Sequence, residues 1–294
     1  MTSLRLRAPA KINLFLKVLG RRPDGFHEIE TVVQSVTLHD GLELAIGGDG
    51  IRLEVDDVRL PADPTNLVWR AARALLGECP PGRGLAMRLR KRIPIAAGLG
   101  GGSSDAAAAL RGVDALYALG LPAETLERHA AALGSDVPYF LVGGAALLKG
   151  RGTVIHPLPD LPRADLVVAS SSEPLPTPLV YAQLQEPLTL APRTASIRDS
   201  GRILADLESL VRLGNDLEPH AERLCAEIGP IREALLAAGA RVAAMSGSGS
   251  AVFGVFASAA AAREAAGTLE RKGFRAQACA TLDRATYQRD WMEH

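Results

Sequence analysis

The chain carries no excess of either charge. Its 33 Lys and Arg balance 33 Asp and Glu over 294 residues. That balance gives no electrostatic case for nucleic acid or an anionic membrane as partner. No apolar run approaches the ~20 residues a membrane-spanning helix needs. The opening Met1-Thr-Ser-Leu-Arg-Leu-Arg alternates like a strand and lacks the apolar core of a signal peptide. The expectation is therefore a cytoplasmic chain, with an oligomeric state that the sequence leaves open. Cysteine is scarce: Cys79, Cys225 and Cys279 lie far apart with no Cys-x-x-Cys pair. This excludes a disulfide framework or a cysteine metal site and leaves three reduced thiols. Lysine is scarcer than its share, since five of the 33 basic residues are lysine: Lys11, Lys17, Lys91, Lys149 and Lys272. In a chain that uses arginine by default, a retained lysine marks a place where a compact ammonium can be required.

The feature present in excess is glycine between residues 94 and 105, Pro-Ile-Ala-Ala-Gly-Leu-Gly-Gly-Gly-Ser-Ser-Asp. Gly98, Gly100, Gly101 and Gly102 leave a backbone with almost no side chain to hold a ligand away. An alanine run into Leu110, Val113, Leu116 and Tyr117 follows with helical spacing. A glycine loop feeding a helix N-terminus, with Ser103 and Ser104 at the cap, directs free N–H groups and the positive end of a dipole at one point, which suits a phosphate. It is neither a Walker A loop, having no lysine, nor a Gly-x-Gly-x-x-Gly fingerprint. A plain tight turn is the alternative. Ala96 and Ala97 restrict φ, so the tight part of the loop is expected to begin at Gly98.

Length favours two domains, since single cores stop growing at roughly 250–300 residues. From Leu4 to Val18 the chain alternates, with Ile12, Leu14, Leu16 and Val18 on one face and Lys11, Asn13, Phe15 and Lys17 on the other. Arg22-Pro23-Asp24-Gly25 is a turn leading to a second strand through Ile29 to Ser35. Residues 66 to 76 read as an amphipathic helix, and Leu85 to Leu89 as a strand into the glycine loop. The helix after that loop runs to about Leu119, where Gly120 ends it, and Pro122 opens another that ends near Gly134. Ser135-Asp136-Val137 before Pro138 must be loop. Gly150, Gly152, Pro157, Pro159 and Pro162 crowd the next stretch. The expected division is residues 1–153 and 154–294, the second half an antiparallel sheet backed by helices.

Three segments read together carry a resemblance: Pro9-Ala10-Lys11-Ile12-Asn13, the glycine loop, and Ala244-Met245-Ser246-Gly247-Ser248-Gly249-Ser250-Ala251. In this order the chain resembles the superfamily of galactokinase, homoserine kinase, mevalonate kinase and phosphomevalonate kinase. The longer glycine run from Gly98, Asp24-Gly25-Phe26-His27-Glu28-Ile29, and Pro176-Thr177-Pro178-Leu179-Val180-Tyr181 point within it to the branch serving the non-mevalonate route to isoprenoids. The resemblance implies an α+β, two-domain small-molecule kinase fold, with a ribosomal-protein-S5-like ATP domain and a ferredoxin-like second domain. It implies phosphoryl transfer from ATP to the 2-hydroxyl of a cytidine-diphosphate-linked methylerythritol.

On that resemblance Asp136 is the base and Lys11 its partner. Pro94, Ala97, Gly98, Leu99, Gly100, Gly101, Gly102, Ser103 and Ser104 hold ATP. Asn13, Phe26, His27, Thr177, Tyr181 and Gly247 contact the substrate. Phe26 and Tyr181 would sandwich the cytosine while His27 reads its edge; the family's common tyrosine is replaced here by Phe26, which loses a hydroxyl. Ser246 to Gly249 would form a second anion nest, or a plain hairpin turn. Mg²⁺ would be held largely by phosphates and water, with Ser104 as a hydroxyl contact and no dedicated acidic ligand. The alternatives are a kinase of the same superfamily acting on homoserine or mevalonate, whose substrates offer no base to stack, and a non-catalytic sensor, which gains nothing from a poised Lys11 and Asp136.

Overall fold

The computed structural model describes residues 2–76, 84–171, 173–184 and 206–293; Cys79 lies outside them. Two long strands, β1 (Ser3–Arg21) and β2 (His27–Ile46), form an antiparallel hairpin. Its turn is closed by Gly25 at φ 83° and by Asp24, whose carboxylate accepts from Phe26 N. Next come β3 (Ile51–Val55), α1 (Leu67–Leu76), β4 (Leu85–Arg90), α2 (Gly101–Tyr117), α3 (Ala123–Leu133) and α4 (Tyr139–Val142). A second hairpin, β5 (Ala145–Gly150) and β6 (Val154–Pro157), pairs with the first half of β2. The second half of β2 pairs with β4, and β3 lies parallel to β4.

The rest of the chain builds a smaller layer. It comprises β7 (Asp165–Ser170), α5 (Thr177–Tyr181), α6 (Leu207–Val211), α7 (Glu218–Leu224) and α8 (Ile228–Ala237). It continues with β8 (Val242–Met245), β9 (Val252–Phe256), α9 (Ala259–Arg271) and β10 (Arg275–Ala280). Its sheet is antiparallel with order β10-β7-β9-β8. Strand, helices, two strands, helix, strand in that order is the ferredoxin-like arrangement. After α10 (Arg284–Arg289) the chain returns to the first sheet, where β11 (Met292–Glu293) pairs with β1. The division expected after residue 153 thus falls inside the β5–β6 hairpin, and the seven-stranded sheet takes strands from both sides of it.

Helix α1 forms as its pattern predicts. Val68, Ala71, Ala72 and Leu75 are buried at helical spacing, and Asn66 accepts from Val68 N at the N-terminus. Helix α2 lies deep because Ala106, Ala107, Ala108 and Ala109 let it approach β1 and β2 closely. It stops at Tyr117, two residues before the expected end, with Ala118 at φ 53°. Pro122 caps α3 from outside. A second core joins the layers, as Ile12, Leu14, Phe15 and Val32 meet Leu166, Val168, Phe253 and Val255 from the smaller sheet.

Here the expected alternation of β1 fails. Its register slips between Asn13 and Phe15, so Phe15 turns into the same core as Ile12 and Leu14 and leaves the face of Lys11. The slip keeps Lys11 and Asn13 together on the opposite face, beneath the start of α2.

Gly112 shows how tightly α2 is seated. A Cβ there would lie 2.4 Å from Leu6 Cδ1 and 3.0 Å from Leu44 Cδ1, both fully buried. Helix propensity alone favours alanine by about 1 kcal/mol. We expect Gly112→Ala to destabilise the protein by ~1–3 kcal/mol through overpacking. Urea unfolding checks this, and a raised midpoint would contradict it.

Candidate active site

The loop before α2 turns its carbonyl groups away from the space above it. Ala96 O accepts from Leu175 N at 3.1 Å, Ala97 O from Ala251 N at 3.1 Å, Gly98 O from Ser246 Oγ at 3.0 Å, and Leu99 O from Lys11 N at 3.0 Å. Among the described residues none accepts from the N–H of Gly98, Gly100, Gly101, Gly102 or Ser103. Acceptors are thus occupied by the protein while donors remain, which is the condition for an anion cradle.

The tight part begins earlier than expected, because Ala96 itself is left-handed at φ 50°. Its carbonyl bond to Leu175 holds it there against the cost of an alanine in that region. The helix also begins earlier. Gly100, at φ 70°, is the N-cap without any side-chain cap, and the serine pair lies in the first turn. Ser104 is fully buried and its hydroxyl donates to Pro9 O at 2.7 Å, so it ties α2 to β1 and does not line the cleft.

Close approach dictates the glycines. A Cβ on Gly98 would sit 2.1 Å from Ser246 O, and one on Gly247 would sit 2.9 Å from Gly98 O. The segment 246–249 is the turn of the β8–β9 hairpin, as its plain reading had it, and it presses directly on the first loop. Asn215 holds it there, with Nδ2 donating to Met245 O and Gly247 O. Nothing in the local sequence singles out Asn215.

Lys11 and Asn13 stand under Gly100 on the inner face of β1, both buried. Lys11 Nζ donates to Asn13 Oδ1. Burial pulls the ammonium below its ordinary value, and the negative charge of Asp136 opposes that pull. Asp136 reaches the site from the α3–α4 turn, which buried Val137 anchors and where Val137 N bonds Gly134 O. Its Oδ1 lies over Gly152 of the β5–β6 turn. The two residues expected to act together therefore do share one space.

A second buried lysine lies close by. Lys91 Nζ donates to Asp105 Oδ2 at 2.7 Å and to Asp40 Oδ2, and all three side chains are at most 5% exposed. Asp40 Oδ1 also accepts from Arg92 N and Ile93 N. Burial works to lower Lys91, but Asp105 and Asp40 outweigh it and hold the ammonium above its usual value. Burial pushes the Asp105 carboxyl up to about 8, against the pull of Lys91. Asp105 Oδ1 is buried with no hydrogen-bond partner among the described residues. The scarcity of lysine was the available signal for Lys91; its partner Asp40, 51 residues away, left none.

One cleft of about 1060 Å³ is lined by Lys11, Asn13, Pro94, Ala97 to Ser103 and Asp136. Phe26, His27, Thr177, Tyr181 and Gly247 line it too. Leu60, Pro61, Asn66, Leu67 and Leu89 wall the same cleft and were not singled out from the sequence. Ring geometry differs from the expected pairing. Tyr181 meets His27, with centroids 5.0 Å apart and planes tilted by 33°, while Phe26 is 51% exposed beneath the Arg151 guanidinium at 5.1 Å. Thr177 ties this end to the second loop through Ser248, Oγ1 to Oγ at 2.7 Å.

The Asp105 shift has a sign that can be checked. Between about pH 4 and 8 the folded protein holds a proton that the unfolded chain, with an ordinary value of 3.8, has released. Stability therefore falls as pH rises through that window. In Asp105→Asn this contribution is gone, so the urea midpoint should decline less steeply between about pH 5 and 8. Parallel profiles for the two proteins would contradict the assignment.

Comparison with known proteins agrees with this geometry. The family model described as GHMP kinases N terminal domain matches residues 66–144, and GHMP kinases C terminal matches residues 196–275. The chain is 45% identical to 4-diphosphocytidyl-2-C-methyl-D-erythritol kinase of Moorella thermoacetica, over 92% of this chain and 96% of that one. It is 41% identical to the enzyme of the same name from Geobacter strain M21, over 96% and 100%. A crystal structure of 4-(cytidine 5'-diphospho)-2C-methyl-D-erythritol kinase superposes with a TM-score of 0.81 at 38% identity, covering 95% of this chain and 99% of that one. Likeness of fold extends further, since an L. major mevalonate kinase in complex with R-mevalonate has a TM-score of 0.73 at 20% identity, over 95% of this chain and 96% of that one. With both halves matched and its relatives covered from end to end, the chain belongs to the 4-diphosphocytidyl-2-C-methyl-D-erythritol kinase family of the GHMP kinases.

Proposed function

We propose that this kinase transfers the γ-phosphoryl group of ATP to the 2-hydroxyl of 4-diphosphocytidyl-2-C-methyl-D-erythritol, at the meeting point of Lys11 and Asp136. The observation that carries the reading is the loop whose carbonyl groups from Ala96 to Leu99 are all bonded to protein while, among the described residues, none accepts from the N–H of Gly98 or of Gly100 to Ser103. Such donors stabilise the negative charge that spreads over a transferring phosphoryl group. The apolar wall of Leu60, Pro61, Leu67 and Leu89 suits the flat ring of the nucleotide.

At the opposite end His27, Tyr181 and Phe26 offer ring faces and a polar edge for cytosine. An alcohol substrate without a base would leave these rings unused. Asp136 takes the proton of the attacking hydroxyl. Lys11, with one of its three protons on Asn13, has two left to hold the hydroxyl or the phosphoryl oxygens.

Ser104 is bonded to Pro9 and Asp105 to Lys91, and Mg²⁺ would be held largely by the ATP phosphates and water.

ADP release from Mg-ATP tests the substrate, with the cytidyl compound set against homoserine and mevalonate. Turnover with the cytidyl compound alone is expected; turnover with another alcohol overturns the cytosine end. Asp136→Asn should lower kcat roughly 10²–10⁴-fold, the usual contribution of a general base, with ATP affinity nearly unchanged. Near-normal kcat would remove Asp136 from the mechanism. Phe26→Ala should raise KM for the cytidyl substrate about tenfold, within the usual span of base–aromatic stacking, and leave KM for ATP alone. Equal effects on both would contradict the stacking role.

A further inference from the structure

The hydrogen bonds behind Lys11 run in a single direction. Thr31, on β2 and 1% exposed, donates its hydroxyl proton to Phe15 O at 2.5 Å. A threonine hydroxyl has one proton, so with that bond made its oxygen can only accept. It accepts from Asn13 Nδ2 at 2.9 Å. The Asn13 amide is thereby oriented with its nitrogen toward Thr31 and its oxygen toward Lys11, whose Nζ donates to it. Reversing the amide would set Oδ1 against an oxygen with no proton between them, and Nδ2 against an ammonium, donor facing donor. The chain is complete in one sense and broken twice in the other.

The register slip in β1 belongs to this arrangement. Asn13 pairs with Val33 and Phe15 with Val32, so Leu14 has no partner on β2 and the Phe15 carbonyl lies within reach of Thr31. The backbone of Asn13 is fixed as well, since its N–H donates to Ser246 Oγ at 3.1 Å.

We propose that Thr31 is a positioning residue for phosphoryl transfer: its hydroxyl, locked as an acceptor, holds the Asn13 amide with its oxygen on Lys11 and so holds the ammonium at the Asp136 end of the cleft. The inference rests on the reading of Lys11 as a group that meets the transferring phosphoryl. Asp136, from the α3–α4 turn, is the charge that acts on Lys11. Tyr139 from α4 and Tyr181 from α5 are held protonated by burial. The remaining ionisable groups lining the cleft are Arg21, His27, Lys91, Asp105 and Arg151. The loops 94–104 and 246–250 contain no ionisable side chain.

Thr31→Val keeps the shape and removes the hydroxyl; Thr31→Ser restores it. Single-turnover rates across pH, with KM for ATP and circular dichroism as controls and Lys11→Met as reference, make the test. Without an oriented Asn13 oxygen the ammonium faces burial with one acceptor fewer, and burial favours the neutral amine. Thr31→Val should therefore lose about tenfold in rate, and its alkaline limb should move about one unit to lower pH, a tenfold change in the protonation equilibrium. KM for ATP should stay within about twofold, the magnitude that untouched phosphate contacts imply. Thr31→Ser should recover both rate and limb.

A wild-type rate and limb in Thr31→Val, with Lys11→Met inactive, would overturn the positioning role and leave that of Lys11 standing. An active Lys11→Met would remove the reading beneath it. Loss of rate with an unmoved limb and no recovery in Thr31→Ser would reduce Thr31 to a packing residue and overturn the proposal.

Discussion

The arrangement depends on two backbones approaching more closely than any side chain would allow. Gly98 lies so near Ser246 that an added Cβ would fall 2.1 Å from its carbonyl oxygen, and Gly247 returns the contact from the other side. This contact fastens the loop that precedes α2 to the hairpin that closes the smaller sheet. Ser246 Oγ, Ala251 N and Leu175 N then take the loop's carbonyl groups from the side of the smaller layer, and Lys11 N takes another from β1. The loop proposed to cradle phosphate is therefore a joint product of both halves of the chain. A glycine loop detached from the 246–251 hairpin would have its carbonyl groups free to turn into the cleft and repel an anion.

Charge is managed by burial and pairing. Two of the five lysines are buried, Lys11 and Lys91, and both line the cleft. Lys17 and Lys149 form partly exposed pairs with Asp216 and Glu30, and Lys272 caps the end of α9. The two buried ammonium groups face different company. Lys11 has one neutral amide oxygen and the field of Asp136, which leaves protons available. Lys91 has two of its three protons committed, one to Asp40 and one to Asp105. The first is equipped to meet a substrate; the second stiffens the start of α2 beneath the cradle.

Much of this was legible in the residue pattern, because it rests on local rules. Periodicity found α1 and the alanine face of α2, Pro138 and Gly134 placed Asp136 on a turn, and the Ser246 to Gly249 run offered the hairpin turn. What escaped was set by contacts distant in sequence. Alternation gave Phe15 the wrong face because the slip in β1 answers to Thr31 and the second core. Ala96 was expected to avoid positive φ, but Leu175, 79 positions away, holds it there through one hydrogen bond. Asn215 and Asp40 carry no local signature, since a buried asparagine or aspartate is identified only by what it bonds. The aromatic end was legible as a set of rings and not as a pairing: His27 and Tyr181 meet because β2 and α5 converge.

In the proposed reaction both substrates occupy one cleft and the phosphoryl group passes directly between them. The stereochemical course at phosphorus tests this most directly, using ATP made chiral at the γ-phosphorus with oxygen isotopes and the cytidyl alcohol as acceptor. A single in-line displacement inverts the configuration, and inversion is the predicted result. Net retention would mean two displacements through a phosphorylated protein group, and would contradict direct transfer across Lys11 and Asp136.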